Sequence, residues 1–196
     1  MKPLSYLGCL ILIVGPSGVG KDTLIDAARR RFSTDPRFLF PRRVVSRPPG
    51  KGEDNDFLDA STIDWLAEDG AFALHWHAHG MSYAIPRTIE NALFDGACVV
   101  CNVSRAVIEQ ARHTYPCRVI EITASQEVLA ARLKSRRRES DGDLALRLQR
   151  ATVMEVAADA RLVNDDNIEI GISRFCRILH DIAEERRPLT VGQDAI

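Results

Sequence analysis

Six consecutive apolar residues, Cys9-Leu10-Ile11-Leu12-Ile13-Val14, run without alternation into Gly15-Pro16-Ser17-Gly18-Val19-Gly20-Lys21. This junction constrains the fold more than any other stretch of the chain. An unbroken apolar run of this length predicts a strand buried on both faces, as in a parallel sheet covered by helices. Residues 22–32 then carry Leu24, Ile25, Ala28 and Phe32 at helical spacing, so strand, glycine-rich loop and helix follow directly on one another. Glycines in such a loop let successive backbone N–H groups turn toward one point, and the helix beneath directs its N-terminus at the same place. The combination suits phosphate groups. Gly15, Pro16, Ser17, Gly18, Val19, Gly20 and Lys21 are therefore the candidate nucleotide-binding segment, with the Lys21 ammonium as a charge for the outer phosphates of ATP and a candidate catalytic group.

The loop departs from its usual form at one position. A Ser or Thr hydroxyl for Mg²⁺ is expected directly after the lysine, and this chain has Asp22 there, followed by Thr23. A carboxylate beside a triphosphate is unfavourable unless a cation lies between them, which makes Asp22 and Thr23 candidate Mg²⁺ ligands. The structural alternative is that Asp22 only complements the positive end of the helix.

Further along, residues 42–46 predict a short strand, residues 47–52 a loop forced by two prolines and two glycines, and residues 61–68 a helix capped by Ser61 or Thr62. Residues 72–77 and 82–84 predict two strands around a turn at His79-Gly80, and Pro86 opens a helix over 86–94. Strands at 97–103, 119–122 and 162–163 alternate with helices at 106–111, 126–137, 144–158 and 170–182. This alternation predicts a three-layer α/β/α sandwich with a mostly parallel central sheet, a single domain over 1–187, and a frayed tail over 188–196.

Composition excludes some functions. The 26 basic and 27 acidic residues leave a net charge of -1, which gives no support to nucleic acid as a partner. The five cysteines have no repeated metal-ligand spacing, and Cys98 and Cys101 fall on opposite faces of one strand, so most of the five are read as small core residues. The apolar segment 4–14 is too short to span a membrane and feeds the glycine loop, so no membrane association is expected and the expected compartment is the cytoplasm. The oligomeric state stays open, a homodimer being one option.

Several local motifs extend the pattern. Gly80-Met81-Ser82-Tyr83-Ala84-Ile85-Pro86, an arginine-rich stretch after residue 131, and Asn164-Asp165 resemble the guanylate kinase fold group of P-loop kinases over nearly the whole chain. Gly20-Lys21-Asp22-Thr23, Ser46-Arg47-Pro48, Phe72-Ala73-Leu74-His75-Trp76 and Asn102-Val103-Ser104-Arg105 more closely resemble the ribose 1,5-bisphosphate phosphokinase family of phosphonate catabolism. That resemblance implies transfer of the ATP γ-phosphoryl group, with Mg²⁺, to a small phosphorylated sugar, giving 5-phospho-α-D-ribose 1-diphosphate. It implies an acceptor-binding insertion over about 42–86 and a lid over about 134–146. Against the guanylate kinase pattern, His77 and Ser82 stand where guanine-reading residues are expected and only Tyr83 is kept, which argues for an acceptor without a base.

Candidate acceptor-binding residues are Arg47, for a phosphate, together with His75, His77, Tyr83, Asn102 and Ser104; a half-exposed strand edge is the alternative for the histidines. Asn164 is a candidate nucleotide contact. Arg136, Arg147 and Arg150 are candidate catalytic arginines, because a planar fork holds two oxygens of the transferring group at once, with solvent-facing helix positions as the alternative. The arginines at 29–31 are read either as a solvated helix end or as phosphate ligands. Two other functional readings remain at this level: a guanylate or other nucleoside monophosphate kinase, and a non-catalytic guanylate kinase-like binding module. The intact loop and Lys21 weigh against the module.

Overall fold

The computed structural model describes residues 6–48, 50, 54–135 and 156–186. Its main sheet has five strands, β1 (Cys9–Val14), β2 (Phe38–Leu39), β7 (Cys98–Asn102), β8 (Cys117–Thr123) and β9 (Ala160–Val163), in the order β2-β7-β1-β8-β9, all parallel. The order puts β1, and so the start of the glycine loop, in the middle of the sheet. All six residues of β1 are fully buried, as the unbroken apolar run requires.

Alternation along β1 sorts the core into two layers. Cys9, Ile11 and Ile13 face a layer made with Leu24, Ile25 and Ala28 of α1 (Lys21–Arg31) and Phe175, Cys176 and Leu179 of the C-terminal helix (Ile168–Glu185). Leu10, Leu12 and Val14 face the opposite layer, with Ile89 and Leu93 of α3 (Ile89–Phe94) and Ile108 and Ala111 of α4 (Ile108–Thr114). Cys98 and Cys101 fall in different layers, so they cannot pair. Burial pushes the Cys9 and Cys101 thiols up to about 12, which keeps them protonated and inert.

A second sheet of four strands lies between α1 and β7 in sequence, in the order β4-β3-β6-β5: β3 (Arg43–Val45), β4 (Asn55–Phe57), β5 (Phe72–Ala78) and β6 (Met81–Pro86). The hairpin of β5 and β6 turns at His79 and Gly80, both with positive φ (53° and 72°), the backbone of a two-residue turn that follows the strand twist. The inner face of this sheet, with Val45, Trp76, Tyr83 and Ile85, belongs to the same core layer as Leu10 and Leu12. Its outer face is covered by α2 (Ala60–Glu68), where Val44, Ile63 and Ala84 form a small separate cluster.

Several local expectations are corrected. Pro86 does not open a helix; it ends β6 opposite Phe72, a terminal strand position that tolerates the missing N–H, and α3 begins three residues later. The cap of α2 is Asp59, whose carboxylate accepts from the Thr62 N–H at 2.9 Å and from the Ser61 and Thr62 hydroxyls. Those hydrogen bonds hold its pKa below the usual carboxylate range. The strand expected at 42–46 forms over Arg43–Val45 but joins the second sheet, and Phe38–Leu39 supplies the edge of the main one. Val156, Ala157 and Ala158 are not helical, so the helix expected over 144–158 does not reach its foreseen end; the remainder of that stretch lies outside the described residues. Among the described residues no helix is long and apolar enough to cross a membrane.

Candidate active site

The glycine loop leaves β1 with three left-handed glycines, Gly15, Gly18 and Gly20 (φ 145°, 84° and 97°). Two of them are sterically enforced. A Cβ on Gly15 would run into the Ile122 carbonyl of β8, and one on Gly20 would lie 2.9 Å from Asn164 Nδ2. The loop is thus moulded against its neighbours.

Lys21 Nζ donates to the carbonyls of Gly15 (2.8 Å) and Pro16 (2.9 Å), so its charge sits over the loop. Asn164 is 1% exposed and donates from Nδ2 to the Val19 carbonyl at 2.8 Å, while Arg132 Nη1 reaches the same carbonyl at 3.3 Å. Expected as a nucleotide contact, Asn164 instead lies behind the loop and fixes it, because the short β9 ends in a buried position there. Asp165 continues the clasp, accepting from the Ser125 N–H at 2.7 Å.

Asp22 and Thr23 are exposed on the first turn of α1. Asp22 Oδ1 accepts from Asn102 Nδ2 at 2.6 Å, which joins the loop to the end of β7. The donors gathered here are carboxylate, hydroxyl and amide oxygens, the set that suits a hard cation such as Mg²⁺. Ser104, two residues on, is spent differently: its Oγ accepts from the Ala106 N–H at 3.3 Å and caps the short turn Arg105–Val107. That turn aims Arg105 at Glu121, a 4% exposed carboxylate on β8 that also pairs with Arg161.

A cleft opens from Asp22 and Asn102 toward the inner face of the small sheet, lined also by Asp26, Arg29, Arg43, Asn55 and Ile85. Its cations are not equivalent. Arg29 is held by Asp26 (3.1 Å) and Asp54 (2.9 Å). Arg42 is held by Asp54 and Asp56. Among the described residues Arg43 has no ion-pair partner; its guanidinium lies 5.1 Å from the Tyr83 ring, and its Nε is buried without a hydrogen-bond partner there. A buried, unpaired guanidinium donor facing a cleft is a strong site for an anion. Sequence reading passed over Arg43. The available signal was strand alternation, since Arg43 shares a face with Val45 whereas Arg42 does not.

Among the acceptor candidates, Tyr83 lies on the inner face, stacked on Trp76 at 5.4 Å. Arg47 follows β3 with Nη1 toward the Pro48 carbonyl (3.3 Å) and is not part of the cleft lining. His75 and His77 are a correction. Pairing of Trp76 with Tyr83 and of His77 with Ser82 puts both histidines on the outer face, against α2 and away from the cleft. A two-residue period admits no other outcome once Tyr83 faces inward. The expected catalytic arginines Arg136, Arg147 and Arg150 lie outside the described residues.

Comparison with known proteins bears on the family and the fold. A family model described as an AAA domain matches residues 10–162. A ribose 1,5-bisphosphate phosphokinase from Methylobacterium radiotolerans is 48% identical over 169 residues, covering 86% of this chain and 95% of the relative. One from Brucella melitensis is 44% identical over 180 residues, covering 90% and 94%. Among solved structures, guanylate kinase from Anaplasma phagocytophilum superposes with a TM-score of 0.64 at 21% identity, over 94% of this chain and 89% of that one, a likeness of fold.

Proposed function

The chain belongs to the ribose 1,5-bisphosphate phosphokinase family, and we infer that it transfers the γ-phosphoryl group of ATP to the 1-phosphate of ribose 1,5-bisphosphate, giving 5-phospho-α-D-ribose 1-diphosphate. The observation that carries this reading is the cleft itself. It joins the phosphate-holding loop, through Asp22 and Asn102, to an unpaired guanidinium, Arg43, on the acceptor sheet. A phosphorylated sugar asks its acceptor site for cationic donors of this kind rather than for a base-reading carboxylate.

The chemistry needs little from the protein beyond placement and charge. The attacking oxygen belongs to a phosphate that is largely ionised near neutral pH, so no strong general base is required. Loop amides between Gly15 and Lys21 hold the donor phosphates, and Lys21 exchanges the Gly15 and Pro16 carbonyls for phosphate oxygens. Asp22 and Thr23 would hold Mg²⁺, which would supply neutralisation of the charge on the outer phosphates. Asn102 keeps the Asp22 carboxylate oriented. Arg43 holds an acceptor phosphate in the cleft, with Tyr83 fixing the plane of its guanidinium, and Arg47, outside the cleft lining, is assigned to the second phosphate on the family resemblance alone. Arg136, Arg147 and Arg150 are assigned to the charge that develops on the transferring group.

Turnover with ATP labelled at its γ-phosphorus tests the reading. The label is expected in the terminal phosphate of the sugar 1-diphosphate; its appearance only in inorganic phosphate, with ribose 1,5-bisphosphate unconsumed, would overturn the assignment.

A further inference from the structure

The histidines that the cleft does not use converge with a carboxylate on the opposite face of the small sheet. Asp64 of α2 places Oδ1 3.5 Å from His75 Nε2 and 3.8 Å from His77 Nε2. The three ligand atoms all lie within 4.8 Å of one another. Both Asp64 distances are too long for good hydrogen bonds. Asp64 Oδ1 and His75 Nε2 are instead buried with no hydrogen-bond partner, an unfavourable arrangement for two polar atoms that face each other.

The surroundings are those of a ligating centre. His75 and His77 are two residues apart on one strand and so project from the same face, their rings 4.7 Å apart and nearly perpendicular (81°). The Ser82 hydroxyl lies 3.1 Å from His77 Nδ1, which fixes that ring and leaves Nε2 directed at Asp64. Metal-bound histidines are held through their second ring nitrogen in the same way. Two imidazole nitrogens and one carboxylate oxygen suit a borderline divalent ion and not Mg²⁺ or Ca²⁺, which require mostly oxygen.

We propose that Asp64, His75 and His77 bind one Zn²⁺ ion, with water completing the coordination. The ion would tie α2 to β5 on the face opposite the cleft and brace the acceptor sheet from behind. This site is separate from the Mg²⁺ ligands Asp22 and Thr23, and its existence does not depend on which sugar or nucleotide the cleft accepts.

The test is calorimetric titration of ZnCl₂ into chelator-treated protein, with excess Mg²⁺ present to occupy oxygen-rich sites. One Zn²⁺ per chain is expected, with a rise in melting temperature. Asp64→Asn and His77→Ala, at a half-exposed and an exposed side chain where the fold tolerates change, should each weaken Zn²⁺ binding more than the roughly 10- to 100-fold typical of removing an outer-shell partner. Ser82→Ala should weaken it within that range. Replacement by Co²⁺ should give the visible bands of a nitrogen and oxygen site without the intense absorption of a metal thiolate, which separates this site from the five cysteines. Absence of binding, equal Zn²⁺ affinity in wild type and both ligand variants, or a thiolate band would each overturn the proposal.

Discussion

Replacing Arg43 with alanine isolates the acceptor side of the cleft. Among the described residues the guanidinium has no carboxylate partner, stacks on Tyr83 at 5.1 Å, and carries a buried Nε with no acceptor. Binding of an acceptor phosphate supplies that acceptor. A hydrogen bond to a charged group is worth about 1.5–3 kcal/mol, and each 1.4 kcal/mol is about a factor of ten. Arg43→Ala should therefore lower kcat/KM for ribose 1,5-bisphosphate by roughly 10- to 150-fold, mainly through KM. The lost cation–π contact costs only about 0.5–1 kcal/mol of stability, so the variant should fold. Arg43→Lys keeps the charge but loses the planar fork and should fall between the two. Initial rates of ADP release, with the sugar varied at saturating MgATP and then the reverse, separate the two substrates. An unchanged kcat/KM for the bisphosphate, or a loss expressed equally in the KM for ATP, would refute the argument that Arg43 faces the acceptor.

Three further substitutions test the donor side. Lys21→Ala keeps a good helix former at the start of α1 and removes the charge over the loop; kcat/KM should fall by roughly 10²-fold or more in steady-state assays. Asp22→Asn keeps the shape and an acceptor oxygen for Asn102 but drops the charge, so activity titrated against free Mg²⁺ should shift to higher metal, with partial recovery at high Mg²⁺. Asn164→Ala removes the clasp on the Val19 carbonyl; since Arg132 still reaches that carbonyl, the cost should be near 1 kcal/mol, about 2–4 °C in Tm by calorimetry.

The buried parts of this molecule were legible because burial writes a pattern. Cys9–Val14 could hardly be anything but a central strand, and the glycines after it could serve little but a tight loop, so the strand and loop were legible in the sequence. The acceptor side was not. Which face of β5 looks into the cleft is fixed by its pairing with β6, where Trp76 meets Tyr83, and by a bulge between Phe72 and Leu74. None of this is encoded in either strand alone, so the sequence could not show that His75 and His77 face away from the cleft. Phe38–Leu39 is a two-residue edge strand with no periodicity to detect. Asn164 looked like a ligand because polar residues after a strand often are; only tertiary packing, with Gly171 so close that a Cβ there would lie 2.5 Å from Asn164 Oδ1, shows it to be enclosed. Arg42 and Arg43 are chemically alike, and what separates them is that Asp54 and Asp56 take one and leave the other.

The central claim is the identity of the acceptor, and a direct comparison of acceptors tests it. Purified protein with MgATP would be offered ribose 1,5-bisphosphate, GMP, AMP and ribose 5-phosphate in parallel, with kcat/KM taken from ADP release and each product identified by mass. The account predicts that ribose 1,5-bisphosphate is by far the best acceptor and that its product has the mass of the 5-phosphoribosyl 1-diphosphate. A kcat/KM for GMP equal to or above that for the sugar bisphosphate would contradict it.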